Sequence, residues 1–244
     1  MAGRFLAISF DLRRHPARFH EVSMNRCLRW PGIFAVLALA WAGVAFAGDT
    51  TYRGFTISES KVARSENLAA IRQAICEQID MVCAVGLPEP MLGFVRSVRF
   101  EIVPTGTVAS GTPGLYQART RTVAVVANIV NTGHKPVLLH ELMHALHHHY
   151  LPEGFNSPAV AELYAKAKQA GVFAAKSHLM ANDREFFACA ATTYLFGVTA
   201  QEPFRRERIK ELQPELNAFL QRLFGENAGR YAGSLTRAPA GPPP

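Results

Sequence analysis

Charge is scarce in this sequence. Asp, Glu, Lys and Arg make up 18% of the 244 residues, below the roughly one quarter of an average globular chain, which excludes a solvated, disordered polymer. Long periodic runs are missing as well. With 18 Gly and 15 Pro spread through it, the chain cannot be an extended coiled coil. Internal repeats are absent, and cysteine is limited to four residues. Uninterrupted apolar sequence is confined to Ile33–Val44, too short to cross about 30 Å of hydrocarbon comfortably and followed by no stop-transfer pattern.

That apolar stretch belongs to a larger pattern starting at Met24. Arg26 and Arg29 form a charged leading region, Ile33–Val44 the apolar region, and Ala45-Phe46-Ala47 an A-x-A cleavage site, the layout of a secretory signal peptide. Residues 1–23 read as an upstream extension with the true start at Met24. Arg13-Arg14 is a weak twin-arginine candidate, because His15, Arg18 and His20 follow in place of an apolar run. The expectation is a leader over 1–47, one exported domain over 48–237, periplasmic or secreted, and a Pro-rich tail over 238–244, with no stable membrane span left after cleavage.

Locating the charge also disposes of the basic pI. The first 47 residues hold six basic and two acidic side chains, a balance of +4, and the other 197 hold 20 and 17, a balance of +3. The basic cluster Arg205, Arg206, Arg208 and Lys210 is interleaved with Glu202, Glu207 and Glu211 and reads as a solvated helix face. No nucleic-acid partner is expected.

Periodicity gives an α+β order. A short strand is predicted over 51–58, then a helix over 59–84 with Ser60 as cap and Val62, Leu68, Ile71, Ile75, Ile79 and Val82 at helical spacing. Pro88 and Pro90 mark a turn. Strands are predicted at 98–103, 115–117 and 122–127, with a Gly/Pro/Ser/Thr-rich loop over 104–114. Helices follow at about 136–150, 158–170, from Asn182 or Asp183 to Gly197, 204–212 and 214–224. On a continuous helix Cys76 and Cys83 stand about 10 Å apart, too far to bridge. Either the helix breaks between them or both are free thiols, and the spacing favours free thiols.

One motif carries chemistry. His140-Glu141-Leu142-Met143-His144 is HExxH. Residues four apart share a helix face about 5–6 Å apart, so both imidazoles can bind one Zn²⁺ while Glu141 reaches a metal-bound water as general base. Apolar neighbours on both sides are what a buried helix requires. A third ligand is needed. The metzincin continuation is excluded, because positions 147 and 150 are His and Tyr where it requires Gly and His. His147, His148 and His149 read as a solvated helix end suited to the C-terminal dipole. Among later acids, Glu162 reads as a solvated face. Glu185 borders Phe186-Phe187-Ala188, where a carboxylate is expensive to bury unless paired or metal-bound, and is the better ligand. Its structural alternative is dipole stabilisation in a first turn.

The HELMHALHH run, followed by NDREFFACAATTYLFG with Glu185 41 residues after His144, resembles the anthrax lethal factor-type (ATLF-like) zinc metallopeptidases of the gluzincin group, over roughly residues 130–225. The resemblance implies a zincin-like fold with a small mixed or antiparallel sheet, an active-site helix and C-terminal helices. It implies one Zn²⁺ held by His140, His144 and Glu185, with Glu141 as base and a peptide or protein substrate. The family often has a Tyr seven residues before the third ligand to stabilise the oxyanion, and His178 stands there. The family also often has a Glu four residues after the ligand, and this chain has Cys189, so a carboxylate that could orient a zinc ligand is missing. Zincins bind peptide on an edge strand beside the active-site helix. Thr122–Ala127 is the candidate, with 104–114 as flap, against a plain core strand and surface loop. The expected function is a zinc metalloendopeptidase. The alternative is a zinc-binding envelope protein without turnover.

Overall fold

The computed structural model describes residues 48–229, apart from 110, 133, 134, 226 and 227. The expected leader 1–47 and the tail 238–244 lie outside the described residues. Where the sequence predicts one strand over 51–58, there is a hairpin: β1 (Asp49–Tyr52) pairs antiparallel with β2 (Phe55–Ser58), closing at Tyr52↔Phe55. The two turn residues, Arg53 at φ 47° and Gly54 at φ 84°, hold the left-handed conformations that a two-residue hairpin demands.

The first helix starts later than Ser60. Glu59 is buried and gripped by the Arg72 guanidinium, Nη2 to Oε2 at 2.6 Å, so residues 59–65 wrap in turns (Val62 N–H to Glu59 O 2.9 Å, Ser65 N–H to Val62 O 2.8 Å). Helix α1 then runs Leu68–Ala84. It is continuous through Cys76 and Cys83, and both are free thiols. The expected turn at Pro88 and Pro90 is instead the start of α2 (Glu89–Ser97). Pro90 occupies the first turn, where its missing N–H costs no intrahelical bond.

Three strands follow, β3 (Arg99–Val103), β4 (Gly114–Gln117) and β5 (Thr122–Val126). The sheet order is β1-β2-β3-β5-β4, parallel at β2/β3 and β3/β5 and antiparallel at both ends. This corrects one expectation. The strand over 122–127 is no edge: every residue of β5 is buried and it is paired on both sides. Its unbroken apolar run is the mark of an interior strand, and the free edge beside the HExxH segment is β4.

The remaining helices are α3 (Val137–Tyr150), α4 (Pro158–Ala170), α5 (Asp183–Phe196), α6 (Arg206–Leu212) and α7 (Pro214–Phe224). The fold is α+β, with seven helices and a five-stranded mixed sheet among the described residues. Helices α3 and α5 form its centre. Leu138, Leu139, Leu142, Met143 and Ala145 on one, and Phe186, Phe187, Ala188, Ala190 and Ala191 on the other, are at most 1% exposed. The alanines let the two backbones approach, which brings polar groups on the two helices within reach of each other.

The start of α3 is fixed from outside. Its cap position is Pro136, with no side-chain cap, so the first-turn N–H groups need other partners. Buried Gln78 of α1 supplies one: its Oε1 accepts from Leu138 N–H at 3.0 Å while its Nε2 donates to Lys135 O at 2.7 Å. Gln78→Ala strands both backbone groups. Urea unfolding is expected to show a loss of about 1–3 kcal/mol, and a loss below a few tenths would contradict this role.

Candidate metal centre

Residues 140 and 144 lie one turn apart on α3, and their rings meet edge to face with centroids 4.8 Å apart. Glu185 faces them from the first turn of α5. Its placement is set by Asn182, whose side-chain oxygen accepts from Arg184 N–H at 3.0 Å and Glu185 N–H at 2.9 Å, an N-cap that fixes where the helix begins. As a result, Glu185 Oε2 stands 3.3 Å from His140 Nε2 and 3.4 Å from His144 Nε2. His178, in the short turn His178–Met180 before α5, brings its Nε2 to 2.9 Å from the same oxygen.

Three imidazole nitrogens therefore surround one carboxylate oxygen that is itself buried and receives no hydrogen bond of good geometry. Burial acts against the charge on both partners, yet their mutual contacts dominate. The contacts of His140 with Cys189 and Glu185 hold its pKa well above the usual histidine value, and the imidazoles hold Glu185 well below the usual carboxylate range. A cation at this carboxylate, whether a ring proton or a metal ion, offsets its charge, and nitrogen and carboxylate donors are the set that zinc takes. The residues fit such an ion. Among the described residues, donor atoms of His140, His178, Glu185 and Cys189 lie within 4.8 Å of one another.

Glu141 points another way, toward the sheet. Its Oε2 accepts from the Tyr116 backbone N–H of edge strand β4 at 2.7 Å. Gly114 on the same strand is close by: a Cβ there would stand 2.9 Å from Glu141 Cγ and 3.1 Å from Val137 Cγ1. Only glycine lets strand and helix approach this closely. A cavity of about 870 Å³ opens over these groups, lined by Gly114, Tyr116, His140, Glu141, His144 and Glu185 among others.

One reading from sequence is corrected and one is upheld. His147 does not belong to a solvated helix end: it is 0% exposed, its ring packed against Phe155 and Phe187 with centroids 5.2 and 4.8 Å away. Neither ring nitrogen finds a partner, and burial lowers its pKa to about 4. His148 and His149 are only half-buried, and both contact the Tyr116 hydroxyl, at Nδ1 3.0 Å and Nε2 2.9 Å. Glu162, by contrast, is exposed and pairs with Lys166 one turn on at 2.9 Å. Sequence reasoning missed the Tyr116 N–H, which no side-chain pattern records. It also missed Cys189 as a neighbour of the donor set, although the four-residue spacing from Glu185 was a signal.

No protein-family model and no curated protein matches the chain. Among solved structures, it is similar to the Pro-Pro endopeptidase PPEP-2 from Paenibacillus alvei, with 19% identity and a TM-score of 0.42, covering 69% of this chain and 97% of that one.

His147 gives a pH prediction. Its native pKa of about 4 lies below the free value of 6.5, so its neutral burial is fully tolerated above pH 6.5 and stability is lost as pH falls from there toward 4. In His147→Leu, urea unfolding between pH 7 and pH 4 is expected to show about 3 kcal/mol less acid loss than the parent. Parallel pH profiles for the two proteins would overturn this reading.

Proposed function

We propose that this chain is a zinc-dependent endopeptidase, exported to the periplasm or beyond, and related in its site to the anthrax lethal factor-type enzymes. One observation carries the reading: the two HExxH imidazoles converge on Glu185 Oε2 within 3.4 Å while Glu141 faces the same cavity. In the proposal His140, His144 and Glu185 hold one Zn²⁺, which when bound lowers the pKa of water and polarises a carbonyl.

The chain's own groups do the rest. The Tyr116 N–H satisfies Glu141 Oε2, leaving Oε1 to take a proton from water and return it to the leaving amine. His178, half exposed above Glu185, can donate its ring N–H to the oxyanion. Strand β4 has β5 on one side only, so its other edge, apart from the Tyr116 N–H taken by Glu141, is open to an extended peptide. No helix among the described residues is long and apolar enough to cross a membrane.

The test is metal analysis with peptide hydrolysis on the purified chain. One equivalent of zinc is expected, retained in Glu141→Gln with hydrolysis down about 10²–10⁴-fold, and lost in Glu185→Ala. Unchanged zinc in Glu185→Ala contradicts the ligand set. Bound zinc with no hydrolysis across a broad peptide library favours a zinc-binding protein without turnover. Gly114→Ala tests the placement of the base, since the added methyl displaces Glu141 from Tyr116. Zinc content is expected to hold while hydrolysis falls about 10²-fold, the cost of a misplacement near 1 Å. Unimpaired hydrolysis contradicts that placement.

A further inference from the structure

The cysteine four residues after Glu185 has no place in the function proposed above. Cys189 is 2% exposed, yet it lines the cavity and does not point into the apolar core alone. Its Sγ lies within 4.8 Å of donor atoms of His140, His178 and Glu185. The sulfur is also treated as an acceptor by its surroundings. The Gln201 amide donates to it from the following loop at 3.9 Å. The other two described cysteines, Cys76 and Cys83, sit on α1, outside this cluster.

We infer that Cys189 is a further protein donor to the metal, through its thiolate. The inference rests on the zinc site proposed above and adds a sulfur to its nitrogen and oxygen donors. Zinc takes thiolate at about 2.3 Å and imidazole at about 2.0–2.1 Å, so a donor set already this close reaches one ion through side-chain adjustment. On binding, the S–H bond breaks, its proton leaves to solvent through the cavity, and a sulfur lone pair forms the new bond to the metal. The soft thiolate strengthens retention of zinc.

Cobalt(II) replacing zinc in the full chain reads this directly. The expected spectrum has visible d–d bands together with a near-ultraviolet sulfur-to-cobalt charge-transfer band. Cys189→Ser and Cys189→Ala are expected to keep the d–d bands and lose the charge-transfer band, with zinc affinity about tenfold or more weaker. Parent protein showing d–d bands without the sulfur band overturns the inference and leaves the zinc site standing. So does a sulfur band that survives in both variants. No cobalt bound at all removes the zinc site and this inference together. The parent spectrum needs no variant to fold.

Discussion

A carboxylate oxygen with three imidazole nitrogens within 3.4 Å, in a place water barely reaches, is an arrangement that costs free energy unless a positive charge is shared among them. Much of the fold serves to hold it. Helices α3 and α5 must lie close, and the run of alanines on α5 allows that. The start of α5 must be fixed to a fraction of a turn, and the Asn182 cap fixes it. The start of α3 must be fixed as well, and Gln78 does so from a helix 60 residues earlier in the chain. A proton or a divalent ion would relieve the same cost.

Helix α3 distributes four tasks around its circumference. Residues 140 and 144 face α5. Residue 141 faces the edge strand and takes its backbone N–H. Residue 147 enters the apolar centre between Phe155 and Phe187. Residues 148 and 149 clasp the hydroxyl of Tyr116, the residue whose N–H holds Glu141. The edge strand is thus tied to the helix at the backbone and at the side chain of one tyrosine. Gly114 sets how near the two can come. If Glu141 serves as the base of the proposed reaction, this anchoring limits its positional error, which is expensive in a catalytic group.

The α+β class, the helices from α3 onward and the gathering of His140, His144 and Glu185 were legible in the sequence, because they rest on local signals: helical spacing, a cap, and an acid placed against an apolar run. What stayed hidden depends on partners distant in the chain. Glu59 and Arg72 close a turn that periodicity alone reads as helix. Pro90 reads as a turn residue until the first-turn exemption is applied. The interior position of β5 depends on β3 and β4 pairing to either side, which a five-residue pattern does not encode. His147 reads as part of a solvated helix end because nothing local separates it from His148 and His149, which are half-buried. Only the placement of Phe155 and Phe187 distinguishes it from them. The contact between Glu141 and a backbone N–H leaves no side-chain signature at all.

The central claim is that the convergence on Glu185 is a metal centre. Crystals of the full chain grown with zinc, with diffraction recorded on both sides of the zinc absorption edge, test it most directly. The account predicts one strong anomalous peak in contact with His140 Nε2, His144 Nε2 and a Glu185 carboxylate oxygen. A zinc-replete crystal with no peak there, or with its peak elsewhere, such as between Tyr116, His148 and His149, would contradict it.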